Sequence, residues 1–319
     1  PFDIEEEDVV DDEGLPTGEK VVKVKDKVAD LLNLVGVMAG GLTAESKSLV
    51  SYILNDVYSE RGITEDPESL YSEEVIYDEQ TQEMQHGGVK KQMPTFSDFH
   101  NLLVQRATEK NSSELERLAN SISMFKKGGV YDLFDCHTSK ELEHFKDSPV
   151  VAFDVSKLEE SVLRPIGMYI ALSWTWEKFV KKNPLTKKRV ICDEAWMLMN
   201  KNMAGHEYTS QFLENAARRI RKRNGGLLVA SKNFFEFSDN PQGKAVLSNT
   251  ACHLFLKQDS SDLDSIQNTF KLSDGERDFL YTAQRGQFLL RLHGDSTVGF
   301  AHSFDFERAL IEKSYQAKE

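Results

Sequence analysis

The chain has 319 residues, more than one minimal domain needs and enough for a large core with an added subdomain. Its 39% hydrophobic and 29% charged content describes a soluble globular protein, and the absence of any eighteen-residue apolar run excludes a helix that spans a membrane. A net charge of −13 excludes a uniformly basic nucleic-acid binder and leaves room for a local basic patch.

The chain opens on Pro1 without a signal-peptide pattern and reads as starting inside a longer reading frame. The acidic run at 3–13, "DIEEEDVVDDE", reads as a solvated segment. Apolar residues at helical spacing (Val28, Leu31, Leu32, Leu34, Val35, Met38) then predict a helix ended by Gly40-Gly41. Thr43 caps a second helix with Leu49, Tyr52, Ile53, Val57 and Tyr58 along one face. The polar stretch at 62–92 lacks periodicity and reads as a long surface loop. A helix capped by Thr95 or Ser97 buries Phe99, Leu102, Leu103 and Ala107, and another over 113–125 buries Leu115, Leu118, Ala119, Ile122 and Phe125.

The texture changes at Pro149. "VVAFDVS" at 150–156 reads as a strand, and 161–181 as a helix apolar nearly all round and therefore deeply packed. Next come the strand "RVICDEA", a helix over 208–223 stopped by Gly225-Gly226, the strands "LLVAS" and "ACHLFLK", and helices near 262–271 and 274–283. "QFLLRLH" and "TVGFAHSF" face each other as a hairpin across Gly294-Asp295. Strands alternating with helices predict an α/β fold: a mostly parallel sheet covered on both faces, with antiparallel strands added at one edge. Cys136, Cys192 and Cys252 lie far apart without a CxxC, as reduced cytosolic thiols do. Cys136-His137 has no second Cys/His pair at ligand spacing and is not read as a metal site.

The chemistry concentrates in "VICDEAWMLMN", where an apolar strand rises into Asp193-Glu194. At the carboxyl end of a parallel strand, Asp193 can serve Mg²⁺, often through water, and Glu194 can orient or deprotonate an attacking water. An acidic start to the next helix, favoured by the helix dipole, explains the same pair without catalysis. A phosphate-binding loop GxxxxGK(S/T) is not found. "GLTAESKS" puts Ser46 where the second glycine belongs, and "PQGKAV" lacks the first glycine and the hydroxyl. Trp196 reads as packing behind the strand. The basic "RRIRKR" holds Arg218, Arg219, Arg221 and Arg223, more cations than a helix C-terminus needs. They suit a trans-acting arginine, or contact with DNA or a partner.

"VICDEAWMLM", "FLENAARRIRKRNGGLLVAS", "LKQDSSDLDSIQNTFKLSDGERDFL" and "RGQFLLRLHGD", in that order and spacing, resemble the VirB-four-type conjugation and type IV secretion ATPase of the HerA/FtsK group of RecA-like motors. "PFDI", "LTAESKSLVSYILNDVY" and "PTFSDFHNLL" extend the likeness toward the amino end. The resemblance implies a RecA-like P-loop NTPase core over 149–319 with a mostly helical inserted subdomain over 1–148, and a phosphate loop upstream of Pro1. It implies ATP and Mg²⁺, with Asp193 as the metal carboxylate and Glu194 as the catalytic glutamate. A homo-oligomer (hexamer or dimer), other channel subunits and the cytoplasmic face of the membrane are also implied. Ser231-Lys232 stands where the family's sensor strand usually ends in Thr-Gln, so Lys232 either supplies charge or this subunit hydrolyses slowly. Arg285 is a second finger candidate. A DNA-translocating HerA- or coupling-type motor and a non-hydrolysing scaffold subunit are the alternatives. Without its phosphate loop the chain alone is expected to be inactive.

Overall fold

The computed structural model describes residues 1–10, 16–72, 76–78, 83–85, 88–139, 145, 148–182 and 185–316. They divide into two compact units, Pro1–Val229 and Ala230–Glu319.

The first unit opens with an antiparallel hairpin, β1 (Glu6–Val10) and β2 (Pro16–Val22), where the sequence reads as a solvated run. Diagonal cross-strand ion pairs, Glu6 with Lys20 and Glu7 with Lys23, let acidic residues occupy a strand. Residues 11–15 lie outside the described set. Helix α1 (Val24–Ala39) buries the predicted Val28, Leu31, Leu34, Val35 and Met38, with Leu32 half-buried. It stops at Gly40, whose φ of 73° is the left-handed conformation that glycine adopts without steric cost.

Thr43 caps α2 (Ala44–Ser59) by accepting the Ser46 N–H at 3.0 Å. Of the 62–92 stretch, β3 (Ile76–Asp78) and β4 (Glu83–Gln85) form a short antiparallel pair, and 73–75, 79–82 and 86–87 lie outside the described residues. Of the two cap candidates for α3 (Phe96–Glu109), Thr95 acts, in a reciprocal capping box with Asp98. With α4 (Ser113–Ile122) these helices close one core in which Tyr58, Phe99, Leu103, Leu115 and Ile122 are fully buried.

Residues 150–156, predicted as a strand, form no ladder with any described residue. Val150 is 82% exposed, while Phe153 packs edge-on against Trp174 at 5.4 Å. The next helix, α5 (Leu163–Trp174), continues as a π-helical segment, Thr175–Lys181. Burial is complete only over 165–169 and at Val180, so its outer surface is less covered than the apolar composition predicts. A cavity of about 350 Å³ is lined by residues of both α1 and α5, with Leu31, Phe134, Tyr169 and Trp174 among its walls and Asp30 at its polar side. Burial, with the Glu177 charge adding to it, pushes the Asp30 carboxyl up to about 6.

The chain then makes β5 (Lys188–Cys192), α6 (Trp196–Met199), α7 (His206–Arg219), a 3₁₀ turn (Ile220–Arg223) and β6 (Gly225–Val229). Strands β5 and β6 are parallel, in register Lys188↔Gly225 to Cys192↔Val229. The predicted cover on both faces is not met among the described residues. Ile191 is 65% exposed and Leu228, its partner across the pair, 45%, so this face of the pair is left open by the described residues.

The second unit contains α8 (Phe235–Ser238), α9 (Pro241–Asn249), β7 (Cys252–Phe255), α10 (Ser260–Phe270), α11 (Asp274–Thr282), β8 (Gln287–Leu292), β9 (Asp295–Phe300) and α12 (Asp305–Gln316). Its sheet is antiparallel in the order β7-β8-β9. The predicted hairpin turns one residue earlier, at His293-Gly294, with φ of 51° and 102°. Positive φ at both central residues matches the right-handed strand twist. Phe255, Leu263, Ile266, Leu272, Leu280 and Leu289 form this unit's core.

Candidate active site

Strand β5 ends at Cys192, directly before Asp193 and Glu194. Cys192 is buried at the last strand position, and burial plus the adjacent Asp193 charge pushes its thiol up to about 12. That thiol is therefore no nucleophile. Asp193 and Glu194 follow in an exposed turn at the carboxyl end, where a parallel sheet opens to ligand. The Glu194 N–H donates to Asp193 Oδ1 at 2.9 Å. Glu194 has a φ of 50°, left-handed for a side chain with Cβ, at a cost of about 1–2 kcal/mol. That backbone turn aims its carboxylate along the chain, where it accepts the indole N–H of Trp196.

The turn is firmly seated. Ala195, Met197, Leu198 and Met199 are buried, and the Met197 N–H donates to the Glu194 carbonyl at 3.1 Å. Helix α6 is one turn long, so its carbonyls lack intrahelical donors. Thr209 of α7 supplies one, its hydroxyl donating to the Leu198 carbonyl at 2.7 Å.

The basic segment lies at the opposite end of the same strands. Arg221 and Arg223 precede β6, and the Lys188 N–H donates to the Asn224 carbonyl at the start of β5. A five-residue strand, roughly 16 Å, separates this edge from Asp193. Arg218 is held by Glu214 at 2.6 Å. Arg219 and Arg221 are exposed and Arg223 half-buried, and none of the three forms an ion pair among the described residues. The Lys188 ammonium donates to the Arg223 carbonyl at 2.7 Å; burial and the Arg223 charge hold its pKa below the usual lysine value. Lys182, Lys187 and Arg189 are exposed beside it in sequence.

Ser231, Lys232 and Arg285 belong to the second unit. The Ser231 hydroxyl donates to the Asn233 carbonyl at 3.0 Å and accepts its N–H at 3.2 Å, a local turn that leaves Lys232 exposed. Arg285 is exposed before Gly286, whose carbonyl accepts the Ala301 N–H at 2.7 Å.

Mg²⁺ commonly uses one or two protein carboxylates, with phosphate and water filling its octahedron. The exposed Asp193 fits that role, whereas a ready-made cluster of three metal-binding side chains is absent among the described residues. Neither near-miss phosphate loop has the needed shape. Ser46 is a buried helix residue under the Thr43 cap, and Gly243 follows the Asn240 cap of α9, packed against the Phe237 backbone. Sequence reasoning missed the Trp196 contact, since residues two apart on a helix do not face each other. Only the left-handed Glu194 brings them together, and no sequence signal marks it.

Residues 88–292 match the TraG P-loop domain family, a span that contains both carboxylates, the arginine segment, Ser231, Lys232 and Arg285. Among solved structures, the chain is similar to VirB4 of Thermoanaerobacter pseudethanolicus, with a TM-score of 0.69 and 24% identity over 88% of this chain and 70% of that one. No curated protein matches the sequence. The fold is accordingly the α/β, RecA-like P-loop NTPase class.

Proposed function

We propose that this chain, which belongs to the TraG P-loop domain family of conjugation and type IV secretion ATPases, carries the water-activating half of an MgATP site. The observation that carries this reading is the Asp193-Glu194 turn: adjacent exposed carboxylates at the mouth of a parallel strand pair, on a turn anchored by four buried residues. Asp193 would hold Mg²⁺ as one carboxylate partner. When bound, the metal offsets phosphate charge. Glu194 takes a proton from the water that attacks the γ-phosphorus, and the bond to the ADP oxygen breaks. Residues 1–148 serve as the inserted subdomain and 149–319 as the core.

Arg219, Arg221 and Arg223 lie a strand length from their own chain's carboxylates, which favours action on a neighbour's nucleotide in a homo-oligomer, hexamer or dimer. The guanidinium fork suits phosphate oxygens. Arg218, tied to Glu214, is the weakest candidate of the four. Ser231, Lys232 and Arg285, in the second unit, keep only the roles the resemblance implies, Lys232 and Arg285 as cations for phosphate. The motor works at the cytoplasmic face of the membrane with other secretion-channel subunits; no described helix is long and apolar enough to cross a membrane. Transient DNA contact would use the same unpaired cations at the amino edge of the strands.

A scaffold role is the second reading, favoured by the Ser231 hydroxyl being engaged with Asn233 and by Lys232 replacing a family glutamine. The 319 residues contain no GxxxxGK(S/T), so the reading places the phosphate loop outside them. The purified chain should bind ATP weakly and show no turnover. Turnover by this chain, abolished by Glu194→Gln, would overturn that placement of the loop and keep the carboxylate assignment. Turnover that survives Glu194→Gln would overturn both.

A further inference from the structure

The indole N–H of Trp196 donates to the carboxylate assigned above to water activation. Three observations make this contact a built one. Glu194 adopts a φ of 50°, without which the side chains of residues two apart would diverge. The Glu194 N–H and carbonyl are both engaged, by Asp193 Oδ1 at 2.9 Å and by the Met197 N–H at 3.1 Å, so the turn that carries the carboxylate cannot swivel cheaply. Residues Met197 to Met199 are buried and fix the short helix on which the indole sits.

A carboxylate on two rotatable side-chain bonds beyond Cβ is a poorly aimed base. A base oriented by a third group is the usual arrangement where a water or hydroxyl must be activated. The indole N–H is well suited to this. It is a donor only, it carries no charge to quench the base, and its ring is half-buried and so locked in direction.

We propose that Trp196 is a positioning residue for hydrolysis: its indole N–H fixes one Glu194 oxygen so that the carboxylate is aimed at the attacking water. The proposal rests on Glu194 being the water-activating group. In the step itself, water oxygen bonds to the γ-phosphorus, the bond from that phosphorus to the ADP oxygen breaks, and Glu194 takes the water proton. Trp196 exchanges no proton and touches no reacting atom.

The test is steady-state ATP hydrolysis by a protein that includes the phosphate loop proposed to lie outside these residues, as wild type, Trp196→Phe, Glu194→Gln and the double variant. Trp196→Phe should lower kcat at least tenfold and leave KM for ATP within twofold, and it should cost nothing further in the Glu194→Gln background. The strict non-additivity is the readout that mere packing would not give. If Trp196→Phe does not fold, replacing the indole by benzothienylalanine, with sulfur in place of the N–H, tests the same bond at constant shape. An unchanged kcat, or an equal further loss in the double variant, overturns the positioning role. Full activity in Glu194→Gln instead overturns the assignment of Glu194, a separate failure.

Discussion

Thr209→Val is the substitution whose effect follows most directly from the site's architecture. Thr209 is 2% exposed, and its hydroxyl donates to the Leu198 carbonyl at 2.7 Å, a carbonyl the one-turn helix α6 cannot satisfy itself. Valine keeps the shape and opens no cavity, so the change removes the hydroxyl's reach to the Leu198 carbonyl at 2.7 Å and to the His206 carbonyl at 3.1 Å. Leaving the Leu198 carbonyl buried without its donor costs about 1–3 kcal/mol. The assay is urea unfolding followed by tryptophan fluorescence. Trp174, Trp176 and Trp196, all the tryptophans in the sequence, lie in the first compact unit, so the signal reports that unit. With a slope of about 2 kcal/mol/M the midpoint should fall by roughly 0.5–1.5 M with the slope unchanged. A midpoint that does not move would refute the claim that Thr209 anchors the turn bearing Glu194 and Trp196.

Two further substitutions test the surrounding packing and electrostatics. Gly205 has a φ of 70°, and a Cβ there would sit 2.4 Å from the Val37 backbone, so Gly205→Ala should destabilise by roughly 2–4 kcal/mol in the same urea assay. Gly226→Ala, with open space around the added carbon, should cost far less. Asp30 is raised from 3.8 to about 6, so the folded state holds its proton more tightly than the unfolded chain does. Stability from this group is present below about pH 4 and lost as pH rises through about 6. Asp30→Asn should therefore gain on the wild type between pH 5 and 8, by up to about 3 kcal/mol, in thermal melts across that range.

The helices of the first 125 residues were legible because each carries a long apolar stripe with a cap, as in Val28 to Met38 before Gly40 and Phe99 to Ala107 after Thr95. The β1-β2 hairpin was not, because its acidic residues owe their place to cross-strand lysines that periodicity cannot register. Helices α9 and α12 went unread for a related reason. Pro241 and Gly243 look like loop chemistry until Asn240 is seen capping them, and α12 offers only a short amphipathic pattern. In the site, Asp193 and Glu194 stood out as the end of an apolar strand. The distance between them and the arginines needed the parallel register of β5 and β6. The Trp196 contact needed one backbone angle that side-chain chemistry does not announce.

The Asp193-Glu194 turn is proposed to hydrolyse MgATP. The most direct test is single-turnover hydrolysis of bound ATP, comparing wild type with Glu194→Gln in a protein that includes the phosphate loop proposed to lie outside these residues. The account predicts that the variant binds MgATP as tightly as wild type and cleaves it at least 100-fold more slowly, as loss of a positioned base of about 10²–10⁴-fold effect requires. Cleavage at the wild-type rate with binding intact would contradict it and move the chemistry away from this turn.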